Sequence, residues 1–120
     1  MDLLTRVRLA LFLKKADKAL MLTYNTRDIT YFSRYCMEDC CNKIRSAISE
    51  DTAAIFGSKK FQKVKYTLIQ KTSSHYVYRR SVSFSKRLVT VSYFTMGEDI
   101  DEIWYIRFLD NGNFVIETIL

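Results

Sequence analysis

WYIRFLDNGNFVIETIL, residues 104–120, alternates apolar and polar residues on both sides of Asp110-Asn111-Gly112-Asn113. Trp104, Ile106 and Phe108 stand at every second position before the break, and Phe114 and Ile116 after it, which is the period of a strand with one buried face. Asn-Gly between two such runs predicts a tight hairpin, because that pair tolerates the two positive φ angles of a type I′ turn. The chain therefore ends in two antiparallel strands.

Working backwards, the same period of two recurs in Val89, Val91 and Tyr93, in Tyr76, Tyr78, Val82 and Phe84, and in Val64, Tyr66 and Leu68. The breaks between these runs fall at Thr72 to Ser74, Ser85 to Arg87 and Gly97 to Ile100. Upstream of Lys60 the period changes. Ile29, Phe32, Cys36, Cys40, Ile44, Ala47 and Ile48, joined by Met37 and Cys41, follow the 3.6-residue period of a helix, which extends through Ile55 and Phe56 to a stop at Gly57. A first helix from Asp2 to Leu22 shows two adjoining stripes: Leu3, Val7, Ala10 and Leu11, and Leu9, Phe12, Leu13, Ala16, Ala19 and Leu20. Both predict a wide buried face. Tyr24, Asn25 and Thr26 interrupt it, and Asn25 with Asp28 offers cap oxygens for the second helix. The expected architecture is α+β: one domain over 1–120, with two N-terminal helices in 1–57 packed on one face of an antiparallel sheet of four to five strands in 58–120.

At 120 residues, with 48% hydrophobic and 27% charged residues, the composition is that of one folded domain. The apolar run Leu9 to Leu13 is far shorter than a bilayer span of about 20 residues, and Arg6 and Arg8 break any leader-like stretch. Neither a membrane partner nor a secretory signal is expected. Cys36, Cys40 and Cys41 are an odd number within six residues and lack zinc-ligand spacing, so they read as free thiols of a reducing compartment. The three glycines cannot form a phosphate-binding loop. His75 is the single histidine, and with a cysteine it makes a pair without an orienting third group. No catalytic residue, cofactor or metal site is expected.

Charge is segregated along the chain. Lys59, Lys60, Lys63, Lys65, Lys71, Arg79, Arg80, Lys86 and Arg87 follow one another with no acid between them, whereas Glu98, Asp99, Asp101, Glu102, Asp110 and Glu117 crowd the end. With Tyr66, Tyr76 and Tyr78 interleaved, the basic strip suits a nucleic-acid backbone with stacked bases, an acidic peptide, or simply solvated strand faces that discourage edge pairing.

The second helix resembles that of the Tctex-type dynein light chains. Counted from Tyr24, Ile29, Phe32, Ser33, Cys36, Glu38, Cys41 and Ile44 fall without a gap on the steps where that family carries Val/Ile, Trp-Thr, Ile, Glu and two Leu. The segment Phe61 to Lys71, ending on Gln70-Lys71, is similar to the family's first strand, and Ser81, Val82, Ser83 and Phe84 to its serine-containing second strand. The resemblance spans about residues 20 to 85, with Phe84-Ser85 where the family has Trp-Asp. It implies a non-catalytic dimeric light chain of a dynein motor. Such an adaptor binds the dynein intermediate chain by strand addition and pairs with a second Tctex-type chain, as homodimer or heterodimer. It would act in microtubule-based motility or transport, in the cytoplasm and cytoskeleton or in the axoneme of a cilium. Strand addition needs an open sheet edge. The edge expected to bind is 75–84, with Tyr76, Tyr78, Arg80, Val82 and Phe84 on one face and His75, Val77, Arg79, Ser81 and Ser83 on the other. A basic nucleic-acid-binding α+β domain is the alternative function. A small enzyme of cystatin-like or nuclear-transport-factor-like shape, dependent on His75, is a further one. The terminal Glu117-Thr118-Ile119-Leu120 has the form captured by PDZ domains, but a last strand running to the end would hold it in the sheet.

Overall fold

Asp2 caps the first helix, its Oδ1 accepting the Thr5 backbone N–H at 2.6 Å. The computed structural model describes residues 2–49, 62–84 and 100–120. Within them the chain forms α1 (Leu3–Thr26), α2 (Thr30–Ser33), α3 (Glu38–Ile48), β1 (Gln62–Lys71), β2 (His75–Phe84), β3 (Ile100–Phe108) and β4 (Phe114–Ile119). The four strands make one antiparallel sheet in the order β1-β2-β3-β4. The helices supply Leu9, Leu13, Ala16, Leu20, Phe32, Cys40 and Ile44 to the core, and the sheet supplies Tyr76, Trp104, Ile106, Ile116 and Ile119. This is the expected α+β arrangement. The fifth strand expected around Val89 to Tyr93, and the helical turns expected at 50–57, lie outside the described residues.

Two helix boundaries differ from the sequence expectation. α1 runs on to Thr26 because Thr23 and Tyr24 are buried against the core, and it ends at Arg27, whose φ of 58° is left-handed. The expected continuous second helix is split: α2 stops at Ser33 and α3 starts at Glu38. Between them the backbone is drawn to the sheet, where Ile116 donates to the Tyr35 carbonyl at 2.8 Å and accepts from the Met37 N–H at 2.9 Å. Two sheet-edge hydrogen bonds on β4 outweigh a turn of helix, since buried backbone groups at an edge need partners. The capping pair expected from Asn25 and Asp28 does not form, since Asn25 lies inside α1; Asp28 instead accepts from both the N–H and the hydroxyl of Thr30 just ahead of α2.

The wide face expected for α1 is buried only from Leu9 onward. Leu3 is 74% exposed, with Val7 and Leu11 also open to solvent. Arg8 donates to the Gly112 carbonyl at 2.5 Å, so the turns before it reach past the tip of the hairpin, beyond the described strands.

The hairpin itself differs in type. Gly112 has φ 83°, but Asn111 does not take positive φ, and Gly112 donates to Leu109 at 3.0 Å while Leu109 donates to Asn113 at 2.8 Å. Asp110-Asn111 is thus an ordinary three-residue-loop turn closed by a left-handed glycine, and not type I′. The extra residue lets the turn work with one positive φ, which glycine adopts at no steric cost.

Candidate functional site

β2 does not lie at an edge. His75 to Val82 pair with β3, from His75 with Arg107 to Val82 with Ile100, and 76–84 pair with β1. The expected binding edge at 75–84 is therefore corrected: its backbone groups are spent on two neighbours, β1 on one side and β3 on the other. The two faces expected for the strand are as observed for the described side chains. Tyr76 and Tyr78 pack in or against the helix-covered core, Arg80 bonds Asp17 of α1 and Val82 is buried, while His75, Arg79, Ser81 and Ser83 lie on the other, more open face. Val77, on that second face, is buried all the same.

Among the described strands the edges are β1 and β4. Tyr35 and Met37 occupy part of β4's outer side, and Leu120 pairs with Ile103 through both backbone groups, at 2.9 and 3.0 Å. The PDZ-like terminus is thereby held in the sheet. Along β1 no described segment pairs with the outer side. That strand presents Lys63, Lys65, Thr67, Leu68 and Ile69 to solvent, with an irregularity in register between Leu68 and Gln70. Leu68 and Ile69 are 40% and 53% exposed, an apolar pair beside an open ladder.

Behind β1 the helix-facing side carries a buried charge cluster that sequence reasoning missed. Arg80 is 3% exposed. Its Nε and Nη2 donate to Asp17 Oδ1 at 3.0 and 2.7 Å, and its Nη1 donates to Glu102 at 2.6 Å. Tyr66 donates its hydroxyl to the same Asp17 oxygen at 2.9 Å, and the guanidinium lies 5.3 Å from the centre of the Trp104 ring. Burial opposes the charge on Arg80, but Tyr66, Glu102 and Asp17 outweigh it and hold the guanidinium above its ordinary value. Burial likewise pushes the Tyr66 phenol far up. The signal was present in the sequence: Asp17 interrupts the Leu13, Ala16, Leu20 stripe, Arg80 stands on the Tyr78, Val82 face, and Glu102 shares the face of Trp104. One charged residue on the apolar face of each of three elements predicts mutual pairing.

On the opposite face of the sheet, Ser74 Oγ lies 2.7 Å from His75 Nδ1, and His75 Nε2 bonds Glu117, both side chains about a third exposed or less. This chain ties the β1–β2 turn to β4 across β3. Arg79 pairs with Asp101 at 3.0 Å, and Ser81 donates to the same carboxylate at 2.8 Å; both lower the Asp101 carboxyl below its usual range.

The cysteines are not three free thiols. Cys36 and Cys41 are joined as a disulfide with their Cα atoms 6.1 Å apart, leaving Cys40 free and buried. The extended backbone before α3 turns Cys36 toward the first turn of that helix, a geometry that counting cysteines does not reveal. Burial pushes the Cys40 thiol up to about 11 and the Tyr24 phenol up to about 12. Both groups ionise in the unfolded chain before they do in the folded one, so stability is full below about pH 9 and falls as pH rises through the folded values. Iodoacetamide at about pH 8 is expected to leave Cys40 unmodified in the native protein and to label it in denaturant, because the thiolate is the reactive form. Mass spectrometry of native and unfolded samples checks this, and rapid native labelling contradicts the burial.

No family model matches the chain, and no curated protein does. Among solved structures, it is similar to an uncharacterized cystatin-fold protein from Novosphingobium aromaticivorans, with TM-score 0.44 and 16% identity, covering 88% of this chain and 94% of that one. No described helix is long and apolar enough to cross a membrane.

Proposed function

We propose that the chain is a non-catalytic adaptor that takes up an extended partner segment as an added strand on β1. The observation that carries the reading is the outer side of β1, which no described segment pairs, next to the exposed Leu68 and Ile69. Main-chain hydrogen bonds supply affinity in such an addition, and alternate side chains supply selectivity. The resemblance to Tctex-type dynein light chains names the first partner to try, a segment of the dynein intermediate chain, with a second Tctex-type chain as the other. Relative to the expectation from sequence, the docking strand moves from 75–84 to 62–71. The nucleic-acid reading keeps Lys63 and Lys65, which are exposed on β1, but Arg79 and Arg80 of the basic strip are already paired with carboxylates.

Successive residues of an edge strand point their N–H groups alternately inward and outward. Of Thr67→Pro and Leu68→Pro, one therefore removes an outward donor while keeping the ladder to β2. That variant is expected to fold normally and to bind an intermediate-chain peptide about tenfold or more weakly in calorimetry, with little salt dependence. The proposal falls if no intermediate-chain segment binds, or if both proline variants bind like the parent. Steeply salt-dependent binding of an oligonucleotide in its place would favour the alternative.

A further inference from the structure

A second surface lies on the β4 side of the helix layer, across the sheet from β1. Two open lobes of about 450 and 410 Å³ run along α1 and meet at Lys15, Arg34 and Tyr35. One is completed by residues including Lys18, Leu22 and Tyr31, the other by residues including Arg8, Leu11 and Phe114. From Arg8 to Leu22 the helix rises about 20 Å, the reach of about six extended residues.

The floor is aromatic and held in place. Phe12 packs edge-on to Tyr35 at 6.0 Å between ring centres and lies 5.7 Å from Phe114. The rim carries four cations and, among the described residues, no acid. Lys15, Lys18 and Arg34 are exposed and form no ion pair with any described carboxylate. Unpaired like charges converging on an apolar trough repel one another, and a ligand of opposite sign relieves that. The trough is shallow and elongated, which suits a chain more than a compact small molecule.

We propose that this trough docks an acidic peptide segment, its carboxylates on Lys15, Lys18 and Arg34 and its apolar side chains on Phe12, Tyr35 and Phe114. The site is independent of strand addition at β1, and the two fail separately. The probe is a fluorescein-labelled seven-residue peptide alternating glutamate and leucine with one tryptophan, read by fluorescence anisotropy; the control peptide carries lysine in place of glutamate. Saturable binding of the acidic probe alone is expected, weakening as salt is raised. Lys15→Glu and Arg34→Glu, both at exposed positions, should each weaken it about tenfold or more while leaving the thermal midpoint and circular dichroism unchanged. The β1 proline variant that still folds should bind the probe like the parent. Equal binding by the charge-reversed variants, or no binding by the parent, overturns the proposal. So does preference for a single-stranded oligonucleotide or for vesicles of anionic phospholipid over the peptide.

Discussion

Arg80→Met is expected to lower the unfolding free energy by about 3–5 kcal/mol, the usual cost of removing one partner from a buried ion cluster. The guanidinium is the single cation between Asp17 and Glu102, and it also accounts for the shared geometry of the Tyr66 hydroxyl and the Trp104 ring. Methionine matches the aliphatic volume but leaves the Asp17 and Glu102 carboxylates without their shared cation in a largely buried site. Against a total stability of about 5–15 kcal/mol for a domain of this size, that loss is large enough to move the urea midpoint well below the parent's. Adding Asp17→Asn to Arg80→Met should restore part of the loss, because one of the stranded charges is gone. In the parent background Asp17→Asn alone should destabilise. Urea titrations of the four proteins give the coupling directly. A loss of less than about 1 kcal/mol for Arg80→Met would mean that the cluster is solvated and does not clamp α1 to the sheet.

Ser81→Pro is expected to abolish cooperative folding, not merely partner binding. Ser81 pairs with Lys65 on one side and with Asp101 on the other, so the strand has no outward side on which a missing N–H is free. A proline there removes a ladder bond at a cost of about 3 kcal/mol or more, whichever of the two neighbouring strands its N–H faces. Arg79→Pro should behave alike, its exposed pair with Asp101 adding little. Loss of near-ultraviolet circular dichroism and of a sigmoidal melting curve is the readout. A Ser81→Pro protein that keeps both and loses only partner binding would return 75–84 to the edge, contrary to the register of the sheet. The contrast with Thr67→Pro and Leu68→Pro, one of which is expected to fold, separates an interior strand from an edge strand by one experiment.

The fold was legible from residue spacing because burial imposes a period, and period is a one-dimensional property. Alternation in Tyr76, Tyr78 and Val82, and in Trp104, Ile106 and Phe108, announced strands with one buried face; Tyr76, Tyr78, Trp104 and Ile106 do pack in or against the helix-covered core and Val82 is buried, whereas Phe108, beside the hairpin, is 40% exposed. Segment ends were less legible. The Tyr24 to Thr26 stretch, polar enough to read as a break, stays helical because Tyr24 is packed in the core. Arg34 to Met37, apolar enough to read as helix, is pulled straight by Ile116 from the far end of the chain. Both outcomes depend on partners distant in sequence, which local propensity does not contain.

By itself the sequence determined the class of the molecule: helices first, then an antiparallel meander, with the Asn-Gly hairpin at the end and a basic middle opposed to an acidic tail. It also held, unread, the three charged residues on apolar faces that pair as Asp17, Arg80 and Glu102. Only the tertiary structure decided which strand is an edge, since strand order is a choice among pairings that the same alternation allows. It alone decided that Cys36 reaches Cys41, and that Lys15, Lys18 and Arg34 share one trough with Phe12 and Phe114. Such neighbourhoods arise when packing closes long loops of chain, and no spacing along the chain encodes them.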